Sequence, residues 1–395
     1  MQSDVVFNNF VHVPITELMF DVLLSIAISF TITFLAIPAV INVAEMKKLF
    51  DMPDARKVHN SPITPLGGLG IFAGFIFGCL LTIHFNEASE IQYFVASTLV
   101  IFFLGLKDDI LVISPIKKFI GQVLAAFIIV YYGNIQIRSM NGFLGIHQLP
   151  EMFSLLLTYF AVIVVINSFN LIDGVDGLAG SLGLLSTTIF GIYFLHIGMP
   201  GYAVLAFSLA GSLLAFLIFN FQPAKIFMGD TGSLLVGTVN AILVVKFINV
   251  ADTSGVSFPI NASPAVGFTI LMIPLLDTLR VFGIRILHRR SPFSPDRNHI
   301  HHLLLDRGFS HRSITLTLVA INLIMIGIVF LARSLGCTLL ICSVFLVFFA
   351  LIAGIYYMMP APRLFVAKTT KEENAQLTKA SQLVALKDSI LEQNN

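Results

Sequence analysis

The chain has 395 residues, of which 56% are hydrophobic and 11% are charged, whereas a soluble domain carries roughly 25% charged residues. This balance excludes a soluble globular protein and predicts an all-α, polytopic integral membrane protein. The formal net charge of +1 says little about partners, and the distribution of charge says more. We expect no nucleic-acid partner.

Apolar runs of about 20 residues, long enough to cross a bilayer, recur along the chain. They predict eleven spans, near residues 18–41, 65–84, 92–107, 117–132, 152–168, 178–198, 202–221, 231–249, 265–286, 314–332 and 336–358. We expect residues 1–358 to form a single transmembrane domain, and residues 359–395, which turn polar after Pro360, to form a cytoplasmic tail. Within that tail, a short interfacial helix and a disordered segment fit the pattern equally well.

The positions of Lys and Arg predict how the spans are oriented, because cytoplasmic loops carry an excess of basic residues. With the N-terminus outside, 20 of the 23 basic residues lie on the inner side, and Arg138, Lys246 and Arg333 lie outside. We therefore expect a multi-pass protein of the inner (plasma) membrane with its N-terminus outside and its C-terminus inside. The inner loops are then residues 42–64, 108–116, 167–180, 222–230 and 287–313.

The second inner loop begins with two adjacent carboxylates, Asp108 and Asp109, at the end of an apolar span. Adjacent residues of a helix point in different directions, so at a helix end one can bind metal while the other accepts a proton. A surface acidic pair is the alternative, but ionisable groups at membrane depth are usually functional. Lys118 follows Asp109 by nine residues and can neutralise phosphate charge.

The third inner loop places a polar residue at every third position: Asn167, Asn170, Asp173 and Asp176. On a helix these side chains fall within one broad face. Interspersed glycines leave the other side open to another helix or a bulky ligand. Hard oxygen ligands in such a pocket suit Mg²⁺ and a phosphate-bearing substrate. The alternative is that Asn and Asp simply cap and turn the chain.

Two further inner loops carry polar motifs. Asp230, in Gly-Asp-Thr-Gly-Ser before a span, suits a metal ligand beside backbone N–H groups that hold phosphate, with a helix N-cap as the alternative. The longest loop contains Arg297, His299, His301 and His302. These residues fit phosphate or sugar recognition better than zinc, because adjacent histidines rarely reach one ion and no cysteine is nearby. An exposed basic loop remains the alternative.

Asp277 and Arg280 lie three residues apart inside the ninth predicted span. This spacing predicts an ion pair on one face of a helix. We interpret the pair as structural, not catalytic.

Carboxylates for Mg²⁺ and bases for phosphate, collected at one lipid–water boundary, indicate phosphoryl transfer between a soluble nucleotide and a membrane lipid. No nucleotide-binding P-loop or Ser–His–Asp pattern competes with this interpretation. The rival from another class is an ion-coupled secondary transporter, which places acids at the bilayer midplane in two related halves. Here the acids collect on one side and no halves are visible. A scaffolding membrane protein leaves the five polar loops unexplained.

From residue 50 to 312 the chain resembles the polyprenyl-phosphate N-acetylhexosamine-1-phosphate transferases, known as glycosyl transferase family 4. Five motifs occur in the family's order. Three of them look like the WecA/TagO branch: Arg56-Lys57-Val58-His59 with Pro65-Leu66-Gly67-Gly68, Asn170 with Asp173-Gly174 and Asp176-Gly177, and Ser294-Pro295-Asp296-Arg297 with His299-Ile300-His301-His302. That branch transfers GlcNAc-1-phosphate from UDP-GlcNAc to undecaprenyl phosphate. The branch that uses UDP-MurNAc-pentapeptide has a triple-histidine run, whereas this chain has His299-Ile300-His301-His302. Because of this departure, phospho-N-acetylmuramoyl-pentapeptide transferase is the second choice.

The resemblance implies a role for each matching residue. Asp108 would deprotonate or orient the lipid phosphate, and the other implied catalytic residues are Asp109, Asp173 and Asp176. Asp230 would bind Mg²⁺, with Asp109 in support. Substrate binding would fall to Lys57, Lys118, Asn170, Arg297, His299, His301 and His302. Of these, the lysines would neutralise phosphate charge, and the last four would recognise the sugar phosphate. Asn170, together with Asp173 and Asp176, would hold the nucleotide and the metal-bound diphosphate.

The resemblance also implies the reaction. An oxygen of undecaprenyl phosphate attacks the β-phosphorus of a UDP-N-acetylhexosamine, and UMP leaves. Mg²⁺, for which Mn²⁺ can substitute, neutralises the diphosphate. We favour direct attack over an aspartyl-phosphate intermediate, because the lipid phosphate is already an anionic nucleophile. The product would initiate a cell-envelope polysaccharide such as O-antigen or teichoic acid. Membrane lipid surrounds the enzyme, and a homodimer is compatible with the sequence.

Overall fold

The computed structural model describes residues 15–49, 63–85, 88–253, 255–289 and 298–358. Within them the chain is almost entirely helical, as the composition predicts. The helices are α1 (Ile15–Lys47), α2 (Gly67–Thr82), α3 (Ile91–Leu111), α4 (Pro115–Phe127), α5 (Glu151–Ile172), α6 (Leu178–His196), α7 (Pro200–Asn220), α8 (Gly229–Ala251), α9 (Ser263–Ile270), α10 (Met272–Leu287), α11 (Ile300–Leu305), α12 (His311–Leu331) and α13 (Cys337–Met358). The predicted tail, residues 359–395, falls outside the described residues.

Short irregular elements complete the chain. A π-helical turn (Ile128–Tyr132) continues α4, and a 3₁₀ turn (Arg333–Leu335) precedes α13. Between α4 and α5, strands β1 (Ser139–Phe143) and β2 (Ile146–Gln148) form an antiparallel hairpin. Ser139 pairs with Gln148, and Phe143 pairs with Ile146. The sequence predicts an outer loop here but does not predict the hairpin.

In the described part of the chain, eight helices are long and apolar enough to cross a membrane: α1, α4 with its π turn, α5, α6, α7, α8, α12 and α13. The protein is therefore an all-α, polytopic membrane protein. Helix α2 is apolar but has only 16 residues, and α3 and the α9–α10 segment are not among the eight. Each predicted span coincides with helix, but the count of eleven stays a prediction.

The ninth predicted span is broken into α9 and α10 at Leu271. Pro274 has no N–H, so it cannot donate to the carbonyl of Ile270 four residues earlier. Asn322 of α12 supplies that donor instead, through Nδ2 at 2.9 Å from Ile270 O. A buried side chain from another helix thus stabilises a break that proline introduces.

Helices α7 and α8 form the centre of the bundle, since most of their residues are buried. In contrast, α1 and α13 bury only about a fifth of theirs, and their exposed apolar side chains suit contact with lipid. Glycines let neighbouring helices approach the first turn of α8 closely. A Cβ added to Gly105 of α3 would lie 2.5 Å from Thr231 Cα, and one added to Gly68 of α2 would lie 2.6 Å from Thr231 Cβ. The start of α8 is therefore enclosed.

Candidate active site

The N-terminus of α8 is capped by a carboxylate from another helix. Asp109, near the end of α3, accepts from Asp230 N at 2.7 Å through Oδ1 and from Thr231 N at 3.0 Å through Oδ2. Thr231 Oγ1 donates to the same Oδ2. These are backbone donors that a helix cannot satisfy internally. Both oxygens of Asp109 are thus engaged in fixing α8 against α3, while its implied metal-binding role stays a prediction.

Gly229 is required at the first position of α8 for two reasons. Its φ of +70° lies in the left-handed region. An added Cβ would also lie 2.8 and 2.9 Å from the two carboxylate oxygens of Asp109. The side chain of any larger residue would push the Asp109 carboxylate away from the N-terminus of α8. The geometry therefore requires glycine at position 229.

Loop one is joined to the segment that leads into α8. Phe227 N donates to Thr64 O at 2.9 Å, Gly67 N donates to Phe227 O at 2.9 Å, and Gly68 N donates to Met228 O at 2.9 Å. Two inner loops that are distant in sequence are therefore held side by side at the start of α8. Lys57, the loop-one residue implied to bind substrate, lies outside the described residues.

Lys118 of α4 is at the centre of the polar cluster. Its Nζ lies 3.1 Å from Asp108 Oδ2 and forms an ion pair with Asp230 Oδ2. It also donates to Asn170 Oδ1 at 3.4 Å. Asn170 in turn donates to Asp230 Oδ1 at 2.6 Å and to Ser233 Oγ at 3.0 Å. One ammonium thus bridges residues from α3, α5 and α8, as expected if the inner loops build a single site.

Asp108 is oriented by its own helix end. Its Oδ1 accepts from Ile113 N at 2.7 Å, while Oδ2 faces Lys118. The two adjacent aspartates therefore point in different directions, as the helix argument predicts. Asp109 faces the start of α8, and Asp108 faces the ammonium of Lys118.

Asp173, just beyond the end of α5, differs from its neighbours because no hydrogen bond to its carboxylate is present among the described residues. Burial, together with the nearby carboxylates of Asp230, Asp109 and Asp176, raises the pKa of Asp173 to about 8. Burial also raises the pKa of Asp109 to about 6, although hydrogen bonds from Thr231 and Asp230 lower it. The carboxyl groups of Asp108, Asp109, Asp173 and Asp230 at this corner thus outnumber the single ammonium of Lys118.

The donor chemistry of this corner fits a divalent cation. Among the described residues, no group of three or more His, Cys, Asp or Glu side chains is arranged to hold a metal ion. However, the carboxylate oxygens of Asp173 accept no hydrogen bond from the described residues. The carboxylate of Asp230 is close enough to raise the pKa of Asp173. Hard oxygen ligands with excess negative charge are those that Mg²⁺ prefers. Asp173 and Asp230 are the residues that fit it best.

Asp176 is engaged in holding helices together. It is 4% exposed, and its Oδ1 lies 3.2 Å from His311 Nδ1 at the start of α12. Its Oδ2 accepts from Ala224 N at 3.4 Å, and its backbone carbonyl accepts from Thr315 Oγ1 at 2.9 Å. The contacts of Asp176 thus connect the α5–α6 loop with α12 and with the α7–α8 loop. Its implied catalytic role stays a prediction.

Asp277 and Arg280, the predicted ion pair on α10, also bind residues 298–300, where the histidine motif begins. Arg280 donates to Asp277 Oδ1 at 2.8 Å, which confirms the pair. The other oxygen of Asp277 lies 2.9 Å from His299 Nδ1, and Oδ1 also accepts from Ile300 N at 2.9 Å. Arg280 further donates to the backbone carbonyl of Asn298. The link to the histidines was missed, since a separation of 22 residues leaves no periodic signal.

His301 is buried against the glycine of the third loop. An added Cβ at Gly174 would lie 2.8 and 3.0 Å from ring atoms of His301. Burial, together with the neighbouring ring of His302, lowers the pKa of His301 to about 3, so the ring is neutral at pH 7. Its Nδ1 is buried and has no hydrogen-bond partner among the described residues. The rings of His299 and His302 lie 5.7 and 4.4 Å from that of His301.

The structure therefore brings most of the predicted site residues to one end of the bundle. Asp108, Asp109, Lys118, Asn170 and Asp230 are in direct contact, and Gly174, next to Asp173, packs against His301. Arg297 lies outside the described residues. No role was predicted for His311 or Gln122. Thr231 and Ser233 were predicted to present backbone N–H groups to a phosphate; in the structure Thr231 donates to Asp109, and the Ser233 hydroxyl accepts from Asn170.

Comparison with known proteins identifies relatives over most of the chain. A model of the family described as glycosyl transferase family 4 matches residues 91–248, which run from α3 to α8. The chain is 33% identical to the undecaprenyl-phosphate alpha-N-acetylglucosaminyl 1-phosphate transferase of Yersinia pestis, over 80% of this chain and 83% of that protein. It is 34% identical to the protein of that name from Escherichia coli O157:H7, over 72% and 77%. A probable undecaprenyl-phosphate N-acetylglucosaminyl 1-phosphate transferase of Bacillus subtilis (strain 168) is 30% identical, over 86% and 93%.

Proposed function

The chain belongs to glycosyl transferase family 4, and from this premise we propose that it transfers GlcNAc-1-phosphate from UDP-GlcNAc to undecaprenyl phosphate and releases UMP. The relatives' names supply the acceptor and the sugar. The observation that carries the proposal is the bridge from Lys118 to Asp108, Asp230 and Asn170. It collects acids, a cation and an amide from four helices, α3, α4, α5 and α8, at one end of a membrane bundle, where a soluble nucleotide and a lipid phosphate can meet.

In the proposed reaction, an oxygen of undecaprenyl phosphate forms a bond to the β-phosphorus of UDP-GlcNAc. The bond from that phosphorus to the oxygen bridging it to the α-phosphorus breaks, and UMP departs with the electron pair. Asp108, held by Ile113 N and Lys118, orients the acceptor phosphate and takes its remaining proton. Direct attack needs no covalent enzyme intermediate, because the acceptor is already an anionic nucleophile.

The remaining residues position and neutralise the donor. Lys118 is a cation that can turn from the two carboxylates to the incoming phosphate charge. Asp173 and Asp230 would hold Mg²⁺, and the ion, when bound, supplies Lewis-acid neutralisation of the diphosphate. Asn170 keeps Asp230 in place through its 2.6 Å hydrogen bond. His301, neutral and lacking a partner at Nδ1, offers a directional hydrogen bond to the sugar phosphate.

The positive-inside pattern supports a location in the plasma membrane with the site on the cytoplasmic side, the N-terminus outside and the C-terminus inside. In this orientation the soluble UDP-sugar reaches the site from the cytoplasm. The lipid-linked product would begin a cell-envelope polysaccharide.

Release of UMP by the purified protein tests the proposal. The reaction contains detergent, Mg²⁺ and a panel of donors: UDP-GlcNAc, UDP-GalNAc, UDP-glucose and UDP-MurNAc-pentapeptide. We expect release with UDP-GlcNAc that requires undecaprenyl phosphate and stops when a chelator removes Mg²⁺. Release with another donor would contradict the sugar assignment. Release without the lipid would indicate hydrolysis of the donor and contradict the transfer. No release with any donor would also contradict the transfer, and it would favour the transporter interpretation.

A further inference from the structure

Two amide side chains face each other between α4 and α5. Gln122 Nε2 donates to Asn167 Oδ1 at 3.2 Å, and Asn167 Nδ2 donates back to Gln122 Oε1 at 2.9 Å. Asn167 also donates to the carbonyl of Ile163 in its own helix at 2.8 Å. Gln122 is only 1% exposed. Because each amide is both donor and acceptor, the pair has one good relative orientation, and sliding either helix breaks both bonds.

This amide pair lies one helical turn from the polar cluster on both helices. Gln122 follows Lys118 by four residues, and Asn167 precedes Asn170 by three. Residues with these spacings share a helix face. The amide pair and the Lys118–Asn170 contact of 3.4 Å are therefore successive contacts between the same two faces. The position of α4 relative to α5 at Lys118 is set one turn away.

Among the described residues, the side chains of α4 that make hydrogen bonds are Lys118 and Gln122. The buried residues of this helix are Gln122, Ala125 and Ala126, and an alanine methyl gives no directional contact. The opposite face exposes large apolar side chains: Ile116, Phe119, Ile120, Val123, Leu124 and Phe127. Such a surface slides and rotates easily against lipid tails, which give no directional interaction. Apart from the contacts of Lys118 itself, the directional side-chain hydrogen bonds of α4 in the described part of the chain are those of the amide pair.

We propose that Gln122 and Asn167 are positioning residues that fix the rotation and height of α4, so that Lys118 meets Asp108 and Asp230. In the described part of the chain, neither amide is hydrogen-bonded to either carboxylate. The pair therefore acts through Lys118. The consequence for turnover rests on the proposed function, whereas the position of Lys118 can be measured without it.

The first test is a set of variants assayed for transfer with labelled UDP-GlcNAc. Gln122→Ala and Asn167→Ala should each lower the rate by about 10²-fold, the effect expected when a reacting group moves by roughly 1 Å. The exchanged pair, Gln122→Asn with Asn167→Gln, keeps the combined side-chain length and both hydrogen bonds, so it should recover most of the rate. In a Lys118→Arg background, where the positive charge stays but the contacts of Lys118 are already altered, Gln122→Ala should lower the remaining rate much less than it does in the wild type, because the effects of two residues that act as a unit are not additive.

A purely structural role predicts a different result. Loss of stability alone would lower the rate by the same factor in both backgrounds. Asn249→Ala is the matched control, because Asn249 uses its amide to donate to Gln136 O at 2.7 Å. It lies 19 residues beyond Asp230 on α8, about 28 Å from the site at 1.5 Å per residue. This control should keep the wild-type rate per folded molecule.

The second test measures the position of Lys118 and needs no turnover. An amine-reactive ester labels Lys117, which is exposed, and Lys118, whose side chain is 18% exposed. Mass spectrometry of the shared peptide gives the ratio of the two labels. Gln122→Ala and Asn167→Ala should raise the Lys118 share several-fold, and the exchanged pair and Asn249→Ala should not. An unchanged ratio in the single variants would overturn the proposal. An inactive wild-type protein with the expected ratios would contradict the proposed function alone.

Discussion

Asp109 provides the sharpest prediction, because its contacts and its implied metal role lead to different outcomes. Replacement by alanine leaves three donors of α8 without their acceptor: Asp230 N, Thr231 N and Thr231 Oγ1. A donor left unsatisfied in a buried site costs roughly 1–3 kcal/mol. The two backbone donors lie in the first turn and have no internal partner. We therefore expect Asp109→Ala to lower the free energy of unfolding by about 3 kcal/mol.

Asparagine at the same position separates the two roles. Its single Oδ1 can still accept from one side, while its NH₂ group faces a donor, so we expect a loss of roughly 1–2 kcal/mol. The measurement combines unfolding of the purified protein in detergent with the Mg²⁺ concentration that gives half-maximal turnover. Asp230→Asn is the comparison, because Asp230 is the proposed metal ligand.

The capping role predicts that Asp109→Asn loses stability and changes the Mg²⁺ requirement less than Asp230→Asn does. A metal-binding role predicts the reverse, with full stability and a Mg²⁺ requirement raised as much as in Asp230→Asn. The second outcome would refute the assignment of Asp109 to the end of α8.

Three further predictions concern the neighbouring loops. The folded-state pKa of His301, about 3, lies below its unfolded value of 6.5, so the unfolded chain binds the extra proton between pH 3 and 6.5 and stability rises with pH across that window. The melting temperature of His301→Gln should therefore fall less than that of the wild type when the pH is lowered from 7 to 5. An equal fall would contradict the conclusion that burial lowers the pKa of His301. Asp176→Ala should destabilise the protein by about 3–5 kcal/mol, the cost of breaking a buried pair, and the loss should be non-additive with His311→Ala in denaturant unfolding. Gly174→Ala should displace the His301 ring and lower turnover, whereas Gly180→Ala, which meets only the flexible end of Leu217 and ordinary contacts, should not. Equal turnover in these two glycine variants would count against the packing of His301 on Gly174.

Much of the fold was predictable, because membrane helices are encoded by local composition. Long apolar runs produced helices at every predicted span, and the i, i+3 spacing of Asp277 and Arg280 produced the predicted ion pair. The break at Leu271 was not predicted. Pro274 was visible, but proline inside a membrane helix is tolerated when a neighbour satisfies the freed carbonyl. That neighbour, Asn322, lies 52 residues from Ile270.

The sequence predicted which residues form the site, but it did not predict which contacts each of them makes. Polar residues stood out because they interrupt apolar sequence, yet their contacts depend on which helix ends meet. Two adjacent aspartates look equivalent in sequence, but in the structure one caps α8 and the other faces Lys118. Asn167 and Asn170 belong to one periodic series, but Asn167 bonds Gln122 while Asn170 bonds Asp230. Such pairings join residues 45 to 121 positions apart, and no local pattern records them.

The central claim is that the cluster around Lys118 joins a sugar phosphate to a lipid phosphate. Mass spectrometry of the lipid product tests it most directly, after incubation with undecaprenyl phosphate, UDP-GlcNAc and Mg²⁺. The wild type should yield undecaprenyl diphosphate carrying one N-acetylglucosamine, and Asp108→Asn and Lys118→Met should yield little or none while remaining folded. A wild type that leaves the lipid unmodified, or variants that form the product at the wild-type rate, would contradict the account.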